Sequence, residues 1–334
     1  MATQISTDWR KAPIALSDYA MLEFSEKLTL TPSLITEQDV AGLRAHGFTD
    51  RDILSVILAA AYRNYIVRVA DALGVELNPT VDYAPELIRA FGVDERQAPS
   101  TLYADRLTRD ASVGRLPLNA ASSRPLQRSG DQVCWIDTRV PAGMTEQFQQ
   151  AYEELIRLTA PTPWRNLAQA FPLRPDALAV TVEYLRLVSL GGSGLGYRLE
   201  SIIGLVVAAT LSSRYMGAHH AQRLLNAGGT LGEVNALLAK PDEAGIGPRE
   251  QEVVRFCERL TRAPGTMTRA DVEALRSVGF SDRDIITIAA SVSLENFLCR
   301  VADGVGLQLE PDTALPAELE LFRSASSAPE ASRG

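Results

Sequence analysis

One feature narrows what this chain can fold into more than any other: it contains the same segment twice. "FSEKLTLTPSLITEQDVAGLRAHGFTDRDILSVI" from Phe24 is matched by "FCERLTRAPGTMTRADVEALRSVGFSDRDIITIA" from Phe256. The offset of 232 stays constant, without a gap, through "NYIVRVADALGVELNP" and "NFLCRVADGVGLQLEP". Between residues 24–79 and 256–311, 24 of 56 aligned positions are identical. The two copies must share a local structure, so a reading of one serves for the other. Each reads as three helices. The first ends near Leu28 or Leu260, and the second is opened by Thr36 or Thr268 as N-cap and closed by Gly47 or Gly279. The third is opened by Thr49 or Ser281 and carries "DRDI" in its first turn, where acidic side chains suit the helix dipole.

Outside the copies the helical period dominates. "TEQFQQAYEELIRLT" puts Phe148, Tyr152, Leu155 and Ile156 on one face, and "PDALAVTVEYLRLVSLG" has proline at a helix start and glycine past its end. Strand-type alternation is almost absent, so the chain reads as all-α. The second copy follows a long run of helices from residue 133, whereas the first has only a short lead. Residues 1–80 therefore read as a half-unit equivalent to 240–311, and residues 133–315 as a complete unit. Residues 81–132, rich in Pro, Ser and Arg, read as a linker, and 316–334 as a disordered, low-complexity tail.

Composition excludes several function classes. With net charge −8 and no Lys/Arg run longer than a pair, the chain has no electrostatic footprint for nucleic acid or an anionic membrane. Its longest apolar run, "IIGLVVAATL" at 202–211, is half of the ~20 residues that span a bilayer. The N-terminus has no basic region followed by an apolar one. Three cysteines, Cys134, Cys257 and Cys299, stand far apart with no CxxC, so neither a disulfide framework nor a thiolate metal site is expected. A cytoplasmic protein with no metal and no cofactor is the expectation. Thirty-three basic residues with only three lysines among them, and abundant alanine, fit a GC-rich bacterial genome.

The chemistry-bearing stretch is "LSSRYMGAHHAQ", which holds two of the three histidines. A buried helix, "SIIGLVVAATL", breaks at Ser212 and Ser213, and a second helix, "RYMGAHHAQRLLNA", begins with Ser213 as candidate N-cap. Ser213, Met216 and His220 fall on one stripe of that helix, while His219 points about a hundred degrees away. "SLGGSGLG" at 189–196 joins two helices with no preceding strand, which argues against a phosphate loop. Asn64/Arg68 and Asn296/Arg300 recur in both copies and read as structural.

"SIIGLVVAATLSSRYMGAHHAQRLLNAG", followed by "RADVEALRSVGFSDRDIITIAASVSLENFLCRVADGVGL", resembles the carboxymuconolactone decarboxylase/AhpD-like superfamily, in particular its peroxidase-related, alkylhydroperoxidase-domain group. The resemblance covers residues 133–309 as a whole unit and 8–79 as the C-terminal half of a second. It implies an AhpD-like helical fold and assembly into homo-oligomers, with a homodimer as the simplest case. Redox members of that superfamily use Glu-x11-Cys-x2-Cys-x3-His. Laid here without gaps, the motif falls on Ser201, Ser213, Met216 and His220, so only the histidine is kept. Shifting it by one residue recovers Glu200 and His219 but places Ser212 and Tyr215 at the cysteine positions. A dithiol peroxidase needs an attacking thiolate and a resolving thiol, so the CxxC redox cycle is lost.

The non-redox decarboxylases of the superfamily need no cysteine. The resemblance thus implies a diverged enzyme doing acid–base chemistry, whether decarboxylation, isomerisation or cyclisation, on a small organic acid or carbonyl compound, a lyase- or isomerase-type activity. His220, Tyr215 and Glu200 are its candidate catalytic residues, with Ser213, Arg214, Met216 and His219 as candidate substrate contacts. A non-catalytic binding or assembly protein of the same fold is the alternative, and a thiol peroxidase the remotest reading. An enclosed cavity reaching His220 would favour the enzyme; an open or filled one would favour the alternative.

Overall fold

The computed structural model describes residues 8–76 and 133–313 except 142, with residues 5, 315, 316 and 319 beside them. The linker at 81–132 and almost all of the tail at 316–334 lie outside the described residues. Among the described residues there are twelve α-helices and no strand, so the chain is all-α.

The segment that holds the first copy contains α1 (Leu16–Leu30), α2 (Glu37–Ala45) and α3 (Asp50–Leu73). The unit that follows holds α4 (Thr145–Thr159), α5 (Arg165–Ala168), α6 (Pro175–Val188), α7 (Tyr197–Leu211), α8 (Arg214–Asn226) and α9 (Leu231–Ala239). It ends with the second copy of the repeat: α10 (Pro248–Arg262), α11 (Arg269–Ser277) and α12 (Asp282–Gly304). The repeated helices start where the sequence placed them. Thr36, Thr49, Thr268 and Ser281 each close a reciprocal capping box with an aspartate three residues on. Gly47 and Gly279, with φ of 91° and 89°, turn the chain out of α2 and α11 in a conformation that side chains resist.

The two copies pack on each other through α3 and α12, and the contact is close to a twofold exchange. The Arg68 guanidinium donates to its own Asn64 and, at 2.9 Å, to the Thr261 carbonyl of the other copy. Arg300 donates to its own Asn296 and, at 2.8 Å, to the Thr29 carbonyl. Asn64 and Asn296 donate to the hydroxyls of Thr29 and Thr261, both at 3.0 Å. Each arginine thus supplies a donor to a buried carbonyl that ends a helix of the other copy.

Two further contacts fix this arrangement. Gly304 on α12 lies against Leu28 and Ile57, at 3.2 and 3.0 Å from where a β-carbon would stand. A strap at 133–137 runs beside the end of α12: the Trp135 amide donates to Val305, the Trp135 carbonyl accepts from Arg44, and the Asp137 amide donates to Asp50. Helices α3 and α12 are each long and apolar enough to cross a membrane by length and composition. Here, however, α12 is enclosed by α3, α7, α8 and α10, with 83% of its apolar window buried.

Candidate functional site

Helix α7 ends when Ser212 enters the left-handed region at φ 57°, and α8 then packs back antiparallel against it. This turn brings His219 and His220 into the interior, where neither exposes any surface. Two glutamates from distant parts of the chain meet them. His220 Nε2 is 2.9 Å from Glu295 on α12, and His219 Nε2 is 2.9 Å from Glu310, beyond the end of α12.

The second carboxylate is held from several sides. Glu310 accepts from His219, from the Tyr215 hydroxyl at 2.8 Å and from the Asn166 amide at 2.8 Å. Burial works to raise its carboxyl, but these donors outweigh it and hold the group below its ordinary value. Burial also holds the His219 imidazole below its ordinary value, against the pull of Glu310. The pair is therefore a carboxylate and a neutral ring. The proton on their line sits on Nε2, which donates, and the lone pair is left on Nδ1. Tyr215 stays protonated, because burial pushes its phenol well up.

Neither His219 Nδ1 nor His220 Nδ1 has a protein partner, although both are buried. The indole of Trp164 lies across both rings, with centroids 5.7 and 5.4 Å away, and its Nε1 is likewise buried without a partner. Arg223 completes the cluster. It is 1% exposed, and none of its three guanidinium nitrogens reaches an acceptor. Glu200, at 3.9 Å, is its ion-pair partner, and the Tyr197 ring lies 4.2 Å from its Cζ. Glu200 itself accepts from the Gly191 amide and the Ser193 hydroxyl, yet burial still pushes its carboxyl up.

The sequence candidates divide accordingly. His219, His220 and Tyr215 come together, and Glu200 joins them through Arg223. His219 does not point away from the cluster as its helical angle implies, since Trp164 and Tyr215 fold over that face of α8 as well. Met216 is fully buried, and Arg214 is half-buried in the first turn of α8. Ser213 occupies the N-cap position with extended backbone, but its side chain makes no cap hydrogen bond. Its hydroxyl is buried against the Cys299 thiol instead. Among the described residues no group of three or more His, Cys, Asp or Glu side chains forms a metal cluster.

Sequence reasoning missed Glu295, Glu310, Trp164 and Arg223. Arg223 had a local signal, lying three and four residues after the two histidines on the same side of α8. Glu295 had a subtler one. Residues 54–63 and 286–295 share no identity, although the copies agree on both flanks, and Glu295 faces His220 from within this divergent stretch. The equivalent stretch of the first copy borders an open groove of about 660 Å³, lined by Ser25, Ala59, Arg63, Asn64 and Val67 among others. By the offset of 232 these residues correspond to Cys257, Ser291, Glu295, Asn296 and Cys299. The groove thus lies on the first copy's counterpart of the helix face that carries Glu295.

Residues 175–259, from α6 into α10, match the carboxymuconolactone decarboxylase family. The helical unit around this segment resembles the carboxymuconolactone decarboxylase/AhpD-like superfamily. An uncharacterized peroxidase-related protein from Silicibacter sp. TM1040 superposes with a TM-score of 0.51 at 22% identity, over 57% of this chain and 97% of that one. The AhpD core of an uncharacterized peroxidase-related protein from Ralstonia eutropha JMP134 does so with a TM-score of 0.50 at 20% identity, over 58% and 99%. This chain therefore shares their helical fold over somewhat more than half of its length. No curated protein matches the chain.

Proposed function

We propose that the unit carries out cysteine-independent acid–base chemistry on a small organic acid or carbonyl compound. The observation that carries this reading is the pair of buried His–Glu dyads. In each, a glutamate holds Nε2 while Nδ1 has no protein partner. A carboxylate behind an imidazole fixes its orientation and stabilises the imidazolium that forms when Nδ1 takes a proton. Such a base removes a proton beside a carbonyl, leaving the electron pair in an enolate, and returns it from the imidazolium to another atom. Isomerisation follows that route. In decarboxylation the C–C bond to the leaving carboxylate supplies the electrons, CO2 leaves, and the carbanion takes a solvent proton that the imidazole has first accepted at Nδ1 and then hands on.

The thiols support no peroxidase reading. Ser213 and Met216 stand at the redox positions, and burial pushes Cys257 and Cys299 well up, away from the reactive thiolate. Turnover of an alkyl hydroperoxide that survives Cys257→Ala and Cys299→Ala would contradict this. The complete burial of both histidines favours the second reading, a binding protein of the same fold.

Solvent-exchange NMR separates the two. Incubated in D2O with 2-oxo acids, 3-oxo acids and unsaturated lactone acids, the protein is expected to exchange a carbon-bound proton or release CO2. His220→Gln should lower that rate by roughly 10²- to 10⁴-fold, the usual range for a general acid or base. No exchange and no decarboxylation across the panel would overturn the catalytic reading.

A further inference from the structure

We propose that Arg223 anchors the carboxylate of a small organic acid, in a buried donor cluster that it shares with Trp164. The inference rests on reading the region around the histidines as a small-molecule site, and it assigns to that site the part that holds the ligand. Its ground is an imbalance of donors and acceptors. Three guanidinium nitrogens of Arg223 and the indole nitrogen of Trp164 are buried without acceptors, with the guanidinium carbon 6.0 Å from the indole ring. The nearby acceptors are already engaged. Glu310 is taken up by His219, Tyr215 and Asn166, Glu295 by His220 and Ser189, and Glu200 by Gly191 and Ser193. At 3.9 Å, Glu200 gives Arg223 charge but no hydrogen bond.

A guanidinium is always charged and is among the costliest groups to bury unpaired. The Tyr197 ring at 4.2 Å compensates one face by a cation–π contact and leaves the N–H edges unserved. Those edges match a carboxylate in a two-point pairing, and the indole N–H can serve a further oxygen. Arg223 follows the histidines by one helical turn, on their side of α8. An acid held there therefore brings its next carbons toward the imidazoles, where the proton chemistry takes place.

The probes are succinate and 2-oxobutyrate, with succinamide as the neutral counterpart, followed by thermal unfolding and tryptophan emission of the full chain. Both acids are expected to raise the melting temperature and to change the emission saturably at millimolar concentration, and Trp164→Phe should abolish the emission change. Succinamide should do neither. Arg223→Met should weaken binding of the acids roughly 10- to 100-fold, the range for a lost charge-assisted hydrogen bond. It should not lower the melting temperature of the ligand-free protein, because it removes buried N–H donors that have no acceptor; a merely structural arginine would behave the opposite way. If Arg223→Met does not fold, Arg223→Met with Glu200→Gln removes both members of the loose pair, and the wild-type comparison of acid with amide still decides. Wild-type protein that responds to no carboxylate, or equally to the amide, overturns the anchor, as does a folded Arg223 variant with undiminished binding. Phosphate binding as tightly as the acids would overturn the carboxylate assignment. A response without exchange chemistry in the wild type leaves the anchor standing and removes the catalytic reading, whereas exchange on neutral ketones without a response to acids removes the anchor alone.

Discussion

Gly204 lies where α7 comes closest to the histidine site. A β-carbon there would stand 2.2 to 2.4 Å from Cε1, Nδ1 and Nε2 of His220, far inside contact distance. A fully buried ring has nowhere to retreat without giving up Glu295, so Gly204→Ala should cost about 1–3 kcal/mol, as other overpacked cores do. Chemical denaturation measures it directly. In a His220→Ala background the same substitution should cost little, because the new methyl then enters the space the ring has left. A double-mutant cycle showing equal, independent costs would mean that the two residues do not press on one another.

Among the elements, α8 and the segment after α12 are joined through His219 and Glu310, and this link makes stability depend on pH. Burial depresses the folded-state value of His219 below 6.5, so below that pH the unfolded chain binds a proton that the folded one refuses. Glu310, held below 4.5, adds its own loss once the pH falls past that value. Stability should thus be constant above about pH 7 and fall as the pH drops to 5.5, by up to about 1.4 kcal/mol from His219 over that range. His219→Gln should flatten this slope, and a wild-type profile flat from pH 7.5 to 5.5 would contradict the reading. What the sequence made legible here was local. Caps, glycine exits and helical periods are settled within four or five residues, so the boundaries of the repeated helices could be read directly. The partners of the site could not. Glu295 lies 75 residues from His220 and Glu310 lies 91 from His219, and nothing within one helix announces which carboxylate will meet which ring. Ser213 shows the limit of local reading, since its place at the helix start was legible while its burial against Cys299 depended on another helix.

At the scale of the molecule, the first copy behaves as a built-in partner. Its α3 lies on α12, its Thr29 carbonyl accepts from Arg300, and its Leu28 and Ile57 close over Gly304. Three helices of about 70 residues in all bury too little surface to be more than marginal alone. The rest of the chain, without them, would expose the apolar side of α12 and lose the hydrogen bond from Arg300 to the Thr29 carbonyl. We therefore expect a chain beginning near residue 131 to melt on the order of 10 °C lower than the full protein, given the several kcal/mol that such a face contributes. In size-exclusion chromatography it should form dimers or aggregates through α12. The full chain should resist that association, because its own α3 already occupies the face. A shortened chain that is monomeric and as heat-stable as the whole would show instead that the half-unit rests on a surface that needs no cover.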